Sequence, residues 1–195
     1  QSGTVDLNYA VQERSNDQIE VSGGWGAGMI IGSIGLRLTN LSLRNFFNKE
    51  AWNPIPTGDG ETLSLRARSN GRRYQSYSLS LTEPWVGGKR PNSLSFSLYH
   101  TLQTNGLPID NPSRTSIQIS GASVSLGRRL RWPDDYFSLS HSISYQHYVL
   151  NDWNYFLFEN GLSNNLSFST RFARNSVDNP LYARRGSKVE LGLQI

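Results

Sequence analysis

Ser93-Leu94-Ser95-Phe96-Ser97-Leu98 alternates a hydroxyl with a large apolar side chain throughout. Side chains of an extended strand point to opposite faces with a period of two, so this stretch makes a strand with one oily face and one hydroxyl face. The same rhythm returns on either side. Tyr77, Leu79 and Leu81 interleave with Ser76, Ser78 and Ser80, Phe137 and Leu139 with Ser138 and Ser140, and Leu166 and Phe168 with Ser167 and Ser169. No segment carries the spacing of an amphipathic helix. The chain reads as all-β, built from two-faced strands.

Composition narrows what such a sheet can be. The 195 residues are 36% hydrophobic with a mean hydropathy of -0.48, and no apolar run reaches the ~18 residues of a transmembrane helix. A barrel strand crosses a bilayer in about 9–11 tilted residues and shows lipid only its alternate positions, so low mean hydropathy is compatible with a membrane barrel. The absence of cysteine excludes a disulfide framework and a thiolate metal site. The chain begins at Gln1 with neither a basic n-region nor an apolar h-region, and is expected to be a mature piece or a fragment.

Gly, Pro and polar clusters divide the chain into about ten strand-like runs, at 5–11, 18–26, 29–39, 61–70, 73–83, 92–103, 115–128, 136–150, 161–175 and 187–195. Several exceed ten residues, longer than the usual strands of soluble sheets. Gly121-Ala122-Ser123 reads as a break within one of them. In an up-and-down order the connections 40–60, 83–91, 129–135 and 176–186 fall on one side, and each joins an aromatic to cations. Trp52 follows Lys49; Trp85 precedes Lys89 and Arg90; Trp132 sits beside Arg128, Arg129 and Arg131; Tyr182 precedes Arg184, Arg185 and Lys188. Amphipathic rings favour headgroup depth at a membrane surface, so Trp52, Trp85, Trp132 and Tyr182 form a candidate interface belt. The opposite connections hold a tight turn at Gly71, a polar loop at 103–114, and a second aromatic group of Trp153, Tyr155, Phe156 and Phe158. A soluble β-sandwich with tryptophan in its loops shares the alternation and stays open at this point.

Four motifs, in order along the chain, carry a resemblance. Tyr77-Ser78-Leu79-Ser80-Leu81-Thr82-Glu83-Pro84-Trp85, followed by Gly87-Gly88-Lys89-Arg90, resembles the turn between the fourth and fifth barrel strands of the BamA family of outer-membrane β-barrel assembly factors. Asn179-Pro180-Leu181-Tyr182-Ala183-Arg184-Arg185-Gly186-Ser187-Lys188 looks like a later periplasmic turn of that family. Val5-Asp6-Leu7-Asn8-Tyr9-Ala10-Val11-Gln12-Glu13-Arg14 is similar to the last strand of its final POTRA domain, and Gly23-Gly24-Trp25-Gly26 to the glycine-aromatic pattern of its first barrel strand.

The resemblance implies residues 1–15 as the end of a periplasmic POTRA domain. It implies residues 16–195 as the N-terminal part, about nine strands, of an antiparallel up-and-down transmembrane β-barrel of sixteen. It further implies a Gram-negative outer-membrane location, unfolded outer-membrane proteins as clients, accessory lipoproteins and outer-membrane lipid as partners, and a lateral gate beside the first strand. The gate strand would be Ile19, Glu20, Val21, Ser22, Gly23, Gly24 and Trp25, whose glycines weaken the strand interior. Those glycines equally suit a bulge or tight curvature. The family's plug motif and closing strand are not found in the sequence, and remaining strands are expected on residues not included here. The 40–60 connection is longer than the short periplasmic turn expected of the family.

Other chemistry finds little support. His100, His141 and His147 lack metal-ligand spacing, Asp134 and Asp135 follow Pro133 in a turn, and no Gly-x-Ser-x-Gly elbow occurs. No enzyme, cofactor or metal is expected. Arg66 and Arg68 alternate with Leu65 and Ala67, which suits a polar barrel lumen better than a nucleic-acid face despite the net charge of +4 and the neighbouring Arg72 and Arg73. The alternatives to an insertase are a related secretion pore or porin, and a soluble β-sandwich binding module.

Overall fold

Backbone amides and carbonyls need partners, and in a chain of long alternating runs the nearest partner is the next run. The computed structural model describes residues 16–26, 29–52, 55–87, 91–179 and 181–195. The expected POTRA-like strand at 5–11, together with Gly88, Lys89, Arg90 and Pro180, lies outside these.

Among the described residues nine strands form one sheet: β1 (Gln18–Gly26), β2 (Met29–Leu41), β3 (Glu61–Asn70), β4 (Tyr74–Glu83), β5 (Asn92–Thr104), β6 (Ser116–Arg129), β7 (Phe137–Asn151), β8 (Gly161–Asn175) and β9 (Lys188–Gln194). Their order in the sheet is their order in the chain, and every pairing is antiparallel. Among the described residues the backbone ladder of each strand runs only to its chain neighbours. The expected break at Gly121 is absent: β6 runs through it in unbroken register with β5 and β7. The alternative of a bulge in β1 is likewise not what is found, since Gln18 to Gly26 pairs with β2 without a shift; the irregularity lies instead at Leu38/Leu41 of β2.

The pairing fixes the two faces. Leu98 lies opposite Leu79 and Ala122, and Phe96 opposite Leu81 and Val124, so the oily positions of neighbouring strands share one surface. Ser97 lies opposite Ser80 and Ser123 on the other. Leu94, Phe96 and Leu98 remain 38%, 39% and 41% exposed, whereas the serines between them are half-buried. That is the reverse of a sandwich, whose oily face is covered by a second sheet. Among the described residues the buried large apolar side chains of the sheet are Leu41, Ile117 and Leu150, joined only by Pro56 in the β2–β3 connection, too few for a water-soluble core.

The oily surface crosses the hydrogen-bond rows obliquely. The row that starts at Val21 in β1 passes through Ile34, Ala67 and Tyr77, then turns polar at His100, Ser120, His147 and Asn164. The row that starts at Leu191 in β9 passes back through Phe172 and Leu139 and turns polar at Arg128 and Asn92. An apolar band that descends by about one residue per strand is the trace of a flat slab across strands inclined at roughly 35–45°.

The long connection between β2 and β3 is folded. A 3-10 turn at Lys49–Ala51 is capped by Asn48, Trp52 pairs with Pro56, and the Trp52 indole donates to the carbonyl of Phe46 at 3.1 Å. Ser42, fully buried, donates to Asp59 and receives the amide of Asn45, while Glu61 accepts the amide of Leu43 at 2.8 Å.

Candidate functional site

Two features stand apart from the regular interior of the sheet: the edge at β1, and the end that gathers the aromatic-cationic connections.

Among the described residues β1 is the first strand of the sheet and pairs with β2. Ile19, Val21 and Trp25 point to the oily surface and are about three-quarters exposed, while Glu20, Ser22 and Gly24 share the hydroxyl surface. Gly23 lies opposite Gly32, a cross-strand pair with no side-chain contact at all, and Gly24 lies opposite Ile31. Because cross-strand side-chain pairs are what stabilises one strand on the next, the β1–β2 seam is weakest there. Below it the seam is fastened. The Ser22 and Ser33 hydroxyls share a 2.7 Å hydrogen bond, and the amide of Thr39 donates to Asp17 at 2.7 Å.

A longer fastening reaches past β2. Glu20, Gly35 and Arg66 occupy one row, and because Gly35 has no side chain, Arg66 Nη2 reaches Glu20 Oε2 across it at 3.3 Å. The same row continues through Ser78 to Tyr99, Gly121, Gln146 and Asn165. There the device repeats. A Cβ at 121 would fall on the Tyr99 ring, and over the bare glycine Gln146 donates to the Tyr99 hydroxyl and accepts from Tyr148 at 2.7 Å. Neither trio is visible in the sequence, because both depend on inter-strand register. Arg66 and Arg68 do lie on the hydroxyl surface, as their alternation with Leu65 and Ala67 predicts.

The antiparallel order puts the connections 42–60, 84–91, 130–136 and 176–187 at one end. Trp52 is 43%, Trp85 51%, Trp132 82% and Tyr182 79% exposed. The last connection is ordered by one carboxylate. Asp178 Oδ1 accepts the amides of Asn179 at 2.9 Å, Arg184 at 3.0 Å and Arg185 at 3.2 Å. Those backbone bonds, from Arg185 and then Arg184, hold the Asp178 carboxyl below its ordinary range. In the turn between β6 and β7, Asp134 is clamped by Arg174 at 2.9 and 3.1 Å. At the opposite end Phe156 packs between Tyr148 and Phe158, and Trp153 lies against Tyr155.

The histidines do not converge. Each shares a hydrogen bond with a strand neighbour: His100 with Ser120 at 2.8 Å, His141 with Thr170 at 3.0 Å, and His147 with Asn164 at 2.7 Å. Among the described residues no three His, Cys, Asp or Glu side chains cluster as metal ligands do.

Comparison with known proteins bears on the whole sheet. The Omp85 superfamily domain matches residues 57–195, so its match begins inside the folded β2–β3 connection. No curated protein matches the chain. Among solved structures, BamA from Haemophilus ducreyi, crystallised without POTRA domains 1–3, superimposes with a TM-score of 0.58 at 18% identity, covering 94% of this chain and 34% of that one. The chain thus spans about a third of that BamA chain, and shares its barrel fold as an unclosed sheet. With its meander of two-faced strands and a match over most of its length, the chain belongs to the Omp85 superfamily of outer-membrane β-barrel proteins.

Proposed function

We propose that this chain is the leading part of the barrel of an outer-membrane protein assembly factor, and that the edge of β1 is where client strands are received. Residues 16–195 form the barrel portion in this reading, and residues 1–15 the end of a POTRA domain on the periplasmic side. The observation that carries it is the β1–β2 seam, where Gly23 faces Gly32 with no side-chain pair to hold the first strand on the second. An exposed edge captures an extended peptide by β-augmentation, with backbone hydrogen bonds supplying affinity and side-chain alternation supplying register.

The mechanism is one of strand exchange rather than of turnover. A client strand pairs along Ile19 to Trp25, its oily positions continuing the surface of Val21 and Ile34 and its polar positions continuing that of Glu20 and Ser22. Burial of each large apolar side chain in hydrocarbon is worth about 1.5–3 kcal/mol, so insertion of the client supplies the driving force without a nucleotide. The oblique oily band supports the outer membrane of a Gram-negative cell as the site of action, with lipid meeting that band and Trp52, Trp85, Trp132 and Tyr182 at the headgroup boundary. Accessory lipoproteins belong to the same reading.

The test is photocrosslinking in the full-length protein. A crosslinker at Val21 is expected to capture a client-derived β-strand peptide about tenfold more efficiently than one at Val124, whose strand has both edges occupied. Equal labelling at the two positions removes the templating role of β1. Membrane retention without client capture would favour a secretion pore.

A further inference from the structure

The β4–β5 and β6–β7 connections are far apart in sequence yet adjoin at the aromatic end of the sheet. Between them runs a groove of about 820 Å³ walled by Trp85 and Trp132 and lined by Arg128, Arg129 and Arg131, with Leu126 at its rim. No ion pair or hydrogen bond engages any of these three guanidinium groups among the described residues. Of the two neighbouring turn carboxylates, Asp134 is held by Arg174 and Asp135 joins the lining, so the described lining, three arginines and one aspartate, carries a net charge of about +2 at neutral pH.

The groove is also continuous with the oily surface. Arg128 is the outward residue next after Leu126 along β6; it lies opposite Asn92, and Leu126 lies opposite Leu94. A cationic, ring-walled cleft that opens onto an exposed apolar face fits an amphiphile: anion in the cleft, chain along the face. A free anion gains nothing from Leu126 and Leu94, and an acidic peptide has no use for an apolar runway that continues into the band. The other connections at this end offer less. Trp52 packs on Phe46 of its own connection.

We infer that this groove is a binding site for an anionic phospholipid, with the phosphodiester held by Arg128 and Arg131 between the Trp85 and Trp132 rings and an acyl chain laid over Leu126 and Leu94. It rests on the outer-membrane reading above and adds a defined lipid class and place. Arg pairs with phosphate through a planar fork, and tryptophan settles at headgroup depth, so the two residue types act on the same part of one ligand.

The experiment uses the full-length protein in nanodiscs of equimolar phosphatidylglycerol and phosphatidylcholine, with lipids retained after extraction counted by native mass spectrometry. Parent protein is expected to retain phosphatidylglycerol preferentially, and R128Q/R131Q to lose about tenfold of that preference, because both guanidinium forks that hold the phosphodiester are gone. R184Q/R185Q, at the β8–β9 connection, is expected to keep it. A heat-modifiable gel shift verifies that each variant is folded. Equal retention of the two lipids by the parent, or an unchanged preference in R128Q/R131Q, overturns the site. Full displacement of the lipid by millimolar inorganic phosphate overturns it as well, since the ligand would then be a soluble anion. Flotation with the vesicles separates the two levels: protein that floats without lipid preference refutes the groove alone, and protein that fails to float refutes the membrane reading beneath it.

Discussion

At the scale of single residues, the informative positions are glycines that leave room for others. Gly121 lets the Tyr99 ring cross β6 toward Gln146, so Gly121→Val forces the ring or the strand to shift. Such overpacking is expected to cost about 1–3 kcal/mol in urea unfolding from vesicles, and Tyr99→Ala in the same chain should restore most of it. Additive losses in the double variant would show that ring and glycine do not meet. Gly35 plays the matching part for Glu20 and Arg66, but here the ion pair is more than half exposed on both sides. A double-mutant cycle of Glu20→Gln and Arg66→Gln is therefore expected to give a coupling of no more than about 1 kcal/mol, shrinking further as salt is raised. Its value to β1 is geometric, as it ties the edge strand to β3 rather than to β2 alone.

At the scale of elements, the connection between β8 and β9 has a pH dependence with a definite sign. Asp178 has a carboxyl held below its ordinary value, so the stabilisation is complete above that value and is lost as pH falls through the lower, folded one. Hydrogen exchange at the Arg184 and Arg185 amides, taken relative to the intrinsic rate at each pH, should stay slow at neutral pH and gain on that rate only in acid below the ordinary carboxylate range. Asp178→Ala should make it fast throughout, and protection that survives in the variant would assign the order of this connection to other contacts. The strands themselves were legible at this scale. The runs at 18–26, 61–70 and 161–175 coincide with β1, β3 and β8, because a period of two with serine on one face leaves no competing reading. The β2–β3 connection was not. Its 3-10 turn and its buried Ser42 depend on partners as distant as Asp59 and Glu61, and nothing periodic announces them. Gly121 was misread for a related reason. A glycine inside a strand pattern looks like punctuation until the ring that lies across it is known.

At the scale of the molecule, the two faces make opposite demands on the same substitution. Phe96 sits midway along β5 between the outward polar residues Asn92 and His100, so Phe96→Arg places a charge near the centre of the band. The expected loss is about 2–4 kcal/mol, whereas Ser97→Arg, one residue away on the hydroxyl surface, should be nearly neutral. Comparable losses at both positions in lipid-vesicle unfolding would contradict the assignment of the faces. Which surface is oily was readable from Ser93 to Leu98 alone. The slope of the band was not, since it emerges only when Val21 is traced to Asn164 and Leu191 to Asn92 through the actual register. The strand Ile19 to Trp25 was named from the family resemblance, whereas the groove between Trp85 and Trp132 could not be, because no short motif joins residues that neighbouring hairpins bring together.

The strictly sequential strand order has a kinetic meaning. Since the backbone ladder of each described strand runs only to those just before and after it, pairing can advance by laying down one hairpin at a time, and the side-chain bridges over Gly35 and Gly121 close when the third strand of each trio arrives.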